Sequence, residues 1–384
     1  MRKVLVLDAH LRAALACIRS LGRKGIRIEC VSNKDFAIGF FSKYCTRHFL
    51  CNDPQMHPDI FSEEILKIAR NGMYDCIIPN STQTALFVAK HYDELSQCTN
   101  ILSPNLDVFL QAFDKEAVVE KAIELGIASA KTFTLENLPQ CLDNHPHPLI
   151  IKPRYLHGAG ILLCDSINQV PLFYKRMCER FGACYIQDFI PNGGEYGIYA
   201  LLNRQSTVRA VTIQRRIRSI SHNGGISTLR ETVPYDSKLV DPALHLLQSL
   251  HWVGPAMVEF RIDASNGVHK FIEINLRFWG SLQLSINAGM DFPYLFYKMA
   301  TEGDIKPSNT YQPNVQCRWL LGDVTHFMQN PQKLRHLYEF LQPTAHYDIE
   351  SLNDPFPMVI NPIMVLKYLP KRKKNTIQTI AAIK

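Results

Sequence analysis

The stretch FIEINLRFWGS, residues 271–281, sets a carboxylate, a carboxamide and a guanidinium on every second position of a segment otherwise built for burial. Successive side chains of a strand alternate faces, so Ile272, Ile274 and Leu276 point one way and Glu273, Asn275 and Arg277 the other. Just upstream, MVEFRID (257–263) alternates in the same manner, with Val258, Phe260 and Ile262 set against Glu259, Arg261 and Asp263. Between the two lies ASNGVHK, whose Asn266-Gly267 is a turn signal, so a β-hairpin is expected. A turn near Asn266 sets Glu259 opposite Glu273, with Asn275 and Arg277 further along the same face. Like charges facing each other across strands repel, and a bound cation would relieve them. Two carboxylates and a carboxamide oxygen suit Mg2+, a hard ion that takes oxygen ligands and bridges them to nucleotide phosphates. Arg277 adds a planar fork for phosphate or carboxylate oxygens. The alternative is a surface hairpin whose acids pair with Arg261, Arg277 or Lys270.

Basic residues that could serve the same phosphates lie further upstream. Lys152 ends the apolar strand PLIIK just before a loop carrying Gly158 and Gly160, where an ammonium and backbone N–H groups could converge on anionic oxygens. Lys115, in FDKEAVVEKA, reads by itself as a first-turn helix residue. Gln214, Arg216 and Arg218 share one face of a long strand and are either exposed or able to reach an anionic substrate.

The chain around these residues has 384 positions, 46% hydrophobic and 20% charged, enough for two or more domains. It opens with KVLVLDA as a strand, HLRAALACIRSLGRKG as a helix stopped by Gly25, and IRIECVSN as a second strand, a βαβ unit. Tyr74 to Pro79 and the helical TQTALFVAKHYDEL continue an open parallel sheet. Asp8-Ala9-His10 lacks the GxGxxG phosphate turn, so no dinucleotide is assigned there. From about residue 108 the rhythm changes. Strands are expected at PLIIK, ACYIQDFI, EYGIYALLN and TVRAVTIQRRIRS, with loops at PNGG and SHNGGIST and a helix at DPALHLLQSLHW. The short Asn203-Arg204-Gln205 connection implies antiparallel pairing. The tail has one expected strand, VQCRWLLG, and a helical HFMQNPQKLRHLYEFL. Trp279 reads as core, because large aromatics are mostly buried.

Composition excludes several classes. Eleven cysteines at irregular spacing without a CxxC, and fourteen dispersed histidines without an HExxH, argue for reduced thiols and against a disulfide framework or zinc site. No run approaches the roughly 18 apolar residues of a membrane span, and MRKVLVLDAH does not read as a signal peptide, so a cytoplasmic protein is expected. The net charge is +7, with Lys371, Arg372, Lys373 and Lys374 consecutive. Nothing aromatic or groove-forming accompanies that run, so it reads as a solvated end and no nucleic-acid partner is expected.

Taken in order, Lys115, Lys152 with its glycine loop, IQDFIPNGGEY, QRRIRS, MVEF and FIEINLR resemble the ATP-grasp superfamily over roughly residues 113–304. RSISHNGGISTLRETV and EINLRFWGSLQLSINAGMDFP bring it nearest to the carbamoyl-phosphate-synthase-like carboxylate–amine ligases. The fold class implied is α/β: an open parallel domain over 1–107, a two-lobed α+β ATP-grasp domain over 108–304 with lobes at about 108–187 and 188–304, and a C-terminal extension with a basic tail over 305–384. By the resemblance, Lys115 and Lys152 contact nucleotide phosphates, and the loop from Tyr155 to Ile161, with His157, Gly158 and Gly160, is a flap over them. Gln187, Asp188 and Ile190 match the segment that meets adenine, and Glu195 the acid on the ribose. Glu259, Glu273 and Asn275 match the metal ligands, Arg277 the arginine that follows them, and Arg218 the basic residue that stabilises the reacting intermediate.

The activity implied is that of a ligase using ATP and Mg2+, which Mn2+ could replace. It would activate a small-molecule or peptide carboxylate as an acylphosphate for attack by an amine. A nucleotide-binding protein without ligase activity, or a phosphotransferase on the same fold, is the alternative. Members of the family often form dimers, so a homodimer is one outcome. Two departures stand out: Gln187 occupies a place often held by an acid, and the flap carries few glycines.

Overall fold

The computed structural model describes residues 2–138, 148–156, 160–221, 224–329, 338 and 346–368. Strands β1 (Lys3–Val6), β2 (Arg27–Ser32), β3 (Cys45–Leu50) and β4 (Cys76–Ile78) form a parallel sheet of order β3-β2-β1-β4. Central β1 reads as an unbroken apolar run because both faces are covered. Val4 and Val6 meet the alanine-rich face of the helix Arg12–Gly22, while Leu5 joins a second core with Phe61, Ile65 and Phe87. Ser81 caps the helix Thr82–Lys90 through a reciprocal box with Thr84. Strand β3 and the helix Pro58–Gly72 add to the expected elements. β3 lies at the sheet edge, where its Thr46, Arg47 and His48 can stay exposed, and so it lacks the apolar signature of a buried strand.

A second sheet, order β5-β8-β6-β7, contains β5 (Thr132–Phe133), β6 (Leu149–Pro153), β7 (Leu162–Cys164) and β8 (Cys184–Asp188), with its pairs antiparallel. Leu149, Ile151, Cys184 and Ile186 pack with Val170, Phe173 and Met177 of the helix Val170–Phe181. The alternation of the strands leaves Lys152, Tyr185 and Gln187 on the other face.

The third sheet has seven strands: β9 (Asn192–Leu202), β10 (Val208–Ser221), β11 (Gly224–Thr232), β12 (Gly254–Asp263), β13 (His269–Asn275), β14 (Gln316–Arg318) and β15 (His346–Tyr347), in the order β13-β12-β9-β10-β11-β14-β15. β9 and β10 pair antiparallel across Asn203–Thr207, as the short connection predicts. The turn between β12 and β13 closes with Gly267 at φ 75°, its N–H donating to Asp263 O at 2.7 Å.

Three expectations need correction. The PNGG segment is not a free loop: β9 starts at Asn192, and a Cβ on Gly193 would stand 3.1 Å from the Ala264 and Ile262 backbones, so glycine permits close strand approach. SHNGGIST is largely strand, since β10 runs to Ser221 and β11 begins at Gly224. VQCRWLLG is a three-residue strand that passes into the helix Leu320–Gln329. His157, Gly158, Cys141, the 222–223 turn, most of the expected helix after Gln329 and the basic run 371–374 lie outside the described residues.

By compactness the chain divides into two units. One holds Met1–Phe109, Tyr196–Met257 and Asn275–Lys367; the other holds Leu110–Glu195, Val258–Ile274 and Tyr368–Lys384.

Candidate nucleotide and metal site

In the unit built on β5 to β8, the helix Lys115–Glu124 begins at a capped end. Asp114 Oδ1 accepts from the Ala117 N–H at 3.3 Å and from Arg154 Nε at 3.0 Å, while Tyr155 donates its hydroxyl to Asp114 Oδ2 at 3.0 Å. Arg154 also pairs with Glu116 at 2.9 Å, and Lys115 N donates to Arg154 O at 3.2 Å. Burial works against ionised Asp114, but Arg154 and the Ala117 amide hold its carboxyl below the usual range. This clamp fixes the first turn of the helix to the end of β6, which carries Lys152.

From that turn Lys115 Nζ reaches Glu273 Oε2 on β13 at 2.8 Å. Lys152 is 7% exposed, and its ammonium donates to Gln187 Oε1 at 2.9 Å. Gln187 is itself buried, and its Nε2 donates to Ala130 O at 3.3 Å. Loss of hydration drives the Lys152 pKa down to about 8; Lys115 and Arg261 push the same way, and Glu273 opposes them. A buried ammonium whose bonded acceptor is a neutral amide is short of negative charge. Beside it on β8, the buried Tyr185 hydroxyl has no hydrogen-bond partner among the described residues. Both features fit the arrival of anionic oxygens, which is the chemistry a polyphosphate supplies.

The third cation is Arg261 of β12. Its Nη2 pairs with Glu195 Oε1 at 2.6 Å and its Nη1 donates to Ile190 O at 3.3 Å, tying β12 to the start of β9. The Asp188 and Phe189 amides are already committed, to Lys131 O and Pro148 O, both at 3.0 Å. Glu259, half-buried, stands on β12. Lys115, Lys152, Gln187, Glu195 and Glu273 are thus gathered in one unit, with Arg261 among them. Reading the sequence left Arg261 as a surface counter-ion, and passed over Asp114 and Arg154; the Asp before a helical run was the available signal for the cap.

Among the described residues no three His, Cys, Asp or Glu side chains group at metal-binding distance. Within this unit Glu259 and Glu273 offer two carboxylates, ligands of the hard oxygen type that Mg2+ takes together with water and phosphate. Asn275, buried, follows Glu273 by two positions on β13 and so shares its face.

The other unit holds Arg277, Arg218 and the rest of the β10 residues. Arg277 Nη1 donates to Phe278 O at 2.8 Å. Arg218 grips Asp323 bidentately, at 2.8 and 2.7 Å, and Thr228 donates to the same carboxylate at 3.0 Å. Gln214 donates to Ser285 Oγ at 2.9 Å. Trp279 is core, with Tyr199 at 4.5 Å and Phe292 at 4.9 Å between ring centroids. Gly160 has φ 79°, a conformation that favours glycine. The ten described cysteines are all free thiols, and among the described residues no helix is long and apolar enough to cross a membrane.

Comparison with known proteins agrees with this architecture. Residues 184–322 match the family model described as ATP-grasp in the biosynthetic pathway with Ter operon. A carbamoyl phosphate synthase large chain, N-terminal section, from Methanopyrus kandleri is 21% identical over 260 residues, covering 62% of this chain; the chain spans 46% of that relative. Among solved structures, a biotin carboxylase–β-γ-ATP complex from Campylobacter jejuni superimposes with a TM-score of 0.67 at 17% identity, over 82% of this chain and 74% of the other. An L-amino acid ligase from Bacillus licheniformis gives a TM-score of 0.60 at 17% identity, over 80% and 78%. N5-carboxyaminoimidazole synthetase from Staphylococcus aureus, complexed with ADP, gives 0.60 at 16%, over 80% and 79%.

Proposed function

We propose that this ATP-grasp protein is an ATP- and Mg2+-dependent ligase that activates a small-molecule or peptide carboxylate for attack by an amine. The observation that carries the reading is the meeting of Lys115 and Lys152 beside Glu273, with Lys152 buried against a neutral amide and its pKa lowered to about 8. In this reading the two lysines hold phosphate oxygens, while Glu259, Glu273 and Asn275 hold Mg2+, which Mn2+ could replace. Gln187, Asp188, Ile190 and Glu195 border the nucleoside, and the loop with His157, Gly158 and Gly160 covers it. Arg277 takes the substrate carboxylate. Arg218, its orientation fixed by Asp323, is the candidate for stabilising the reacting intermediate.

A free carboxylate is a poor electrophile at neutral pH, and the phosphoryl group of ATP supplies the leaving group it lacks. The chain's own contribution is positional and electrostatic: ammonium and guanidinium groups fixed by Gln187, Asp323 and the Asp114–Arg154 clamp need little reorganisation as charge develops. ATP and reduced thiols together favour a cytoplasmic setting.

The test is Mg2+-dependent ADP release by the purified protein with and without pooled carboxylates and amines. Release is expected only with the pool, and Glu273→Gln should abolish it. Full activity in that variant would sink the assignment.

A further inference from the structure

A second set of buried charge lies in the unit that holds Arg277. Asp348, just after β15, is 1% exposed and is gripped from both sides. Arg12, the first residue of the helix Arg12–Gly22, donates from Nη1 to Oδ2 at 2.5 Å, and Arg230 of β11 donates from Nη2 to Oδ1. Among the described residues Asp348 is the one acid within ion-pair distance of either guanidinium. Two cations therefore share one carboxylate. Burial lowers the Arg12 pKa, with Asp348 opposing the fall and Arg230 adding to it.

The hydrogen bonds repeat the imbalance. Arg230 is 1% exposed, yet its Nε and Nη1 have no partner among the described residues, and buried donors left unpaired are costly. Arg12 is half-buried and uses Nη1 on Asp348; its Nε and Nη2 have no hydrogen-bond partner among the described residues. Its Cζ stands 4.2 Å from the centroid of the Trp319 ring, so the guanidinium is held by an ion pair at one end and a ring beneath. Beside Nη2 the chain is bare, since a Cβ on Gly280 would stand 3.0 Å from that nitrogen. Gly280 follows Arg277 by three residues. A neutral acceptor would fill these donors and leave the charge. An oxyanion answers both, and the guanidinium fork matches the oxygens of a carboxylate or a phosphate.

We propose that Arg12, backed by Arg230 across Asp348, binds an oxyanionic group, a carboxylate or a phosphate, that the substrate carries in addition to the carboxylate taken by Arg277. Assigning the group to a substrate rests on the ligase reading; the binding of the anion does not, and it is tested without nucleotide or metal. The full-length protein is titrated with inorganic phosphate and, separately, with acetate, at an ionic strength held constant with chloride. Binding is read by tryptophan fluorescence, since Trp319 lies beneath Arg12, and by the rise in melting temperature. A saturable response is expected in both readouts, in the parent and in Lys152→Met, whose substitution lies in the other unit. It should weaken at least about tenfold in Arg12→Gln, and likewise in Gly280→Ala, where the added methyl crowds Nη2 while Arg12 itself is kept. A response to phosphate alone assigns a phosphate group, and a response to acetate assigns a carboxylate. No saturable response to either anion overturns the proposal, as does a response that both variants retain in full or that Lys152→Met abolishes. If anion binding persists while no pool of carboxylates and amines elicits ADP release, the ligase reading falls and the anion site stands.

Discussion

The depressed pKa of Lys152 makes nucleotide affinity depend on pH in a defined window. Burial lowers the side chain from its ordinary 10.5 to about 8. At about 1.36 kcal/mol per unit, the fold disfavours the charged form by about 3 kcal/mol. Bound phosphate oxygens favour that form, so ATP binding near pH 8 should draw in about half a proton. Below pH 7 Lys152 is already charged and affinity should be level. Above pH 8 it should fall about tenfold per unit, approaching about 300-fold by pH 10.5. Isothermal titration with ATP and Mg2+ in buffers of different ionisation enthalpy measures both the constant and the proton uptake.

Stability must move in the opposite sense to affinity. Because the folded value lies below the unfolded one, the unfolded chain binds more protons between pH 8 and 10.5, and stability rises across that interval. Lys152→Met should remove the rise. At pH 7 it should be more stable than the parent by about 2 kcal/mol, the relieved burial cost less about 1 kcal/mol for the lost bond to Gln187, while binding ATP far more weakly. Level affinity from pH 7.5 to 9.5 together with an unchanged profile in the Met variant would refute the reasoning.

Two further predictions concern buried charge. Gln187→Glu places a carboxylate against the Lys152 ammonium, so the alkaline limb of the affinity profile should move to higher pH and ATP affinity at pH 7 should fall; an unmoved limb would mean that Gln187 does not set the lysine's charge. Asp348→Ala should cost about 3–5 kcal/mol in urea unfolding, since it strips the buried Arg230 and the half-buried Arg12 of the carboxylate they share. Burial works to raise the Asp348 pKa, but Arg230 and Arg12 hold it low, so the stability it gives persists above the ordinary carboxylate range and is lost as pH falls through its folded value.

The hairpin was readable because its signals are local: period-two alternation in MVEFRID and FIEINLR, and Asn266-Gly267 at the turn, where Gly267 has positive φ. Buried β1 and the helix Arg12–Gly22 were legible for the same reason. The charge partners were not. Lys115 finds Glu273, Arg261 finds Glu195, and Arg154 finds Asp114 across long stretches of chain, and no periodicity encodes such distances. β3 escaped because an edge strand can carry Thr46, Arg47 and His48 in solvent. PNGG misled because glycine has two uses: it frees a loop, and it lets two backbones come close, as Gly193 does beside Ile262 and Ala264.

Gln187 ties the sequence departure to the chemistry. An acid at that position would give Lys152 a permanent counter-ion inside the fold, and an arriving phosphate would have to compete with it. A carboxamide satisfies the ammonium's geometry without neutralising it, at 2.9 Å. Glu273 is the anion that acts most strongly on Lys152, and it is already paired with Lys115. Glu195 is likewise paired with Arg261. With Glu259 counted beside Glu195 and Glu273, three acids match Lys115, Lys152 and Arg261 in charge, so what sets Lys152 apart is its burial against a neutral amide and not an excess of cations. Loss of hydration is the main cost that the lowered pKa of this lysine records, and a polyphosphate would be the group that relieves it.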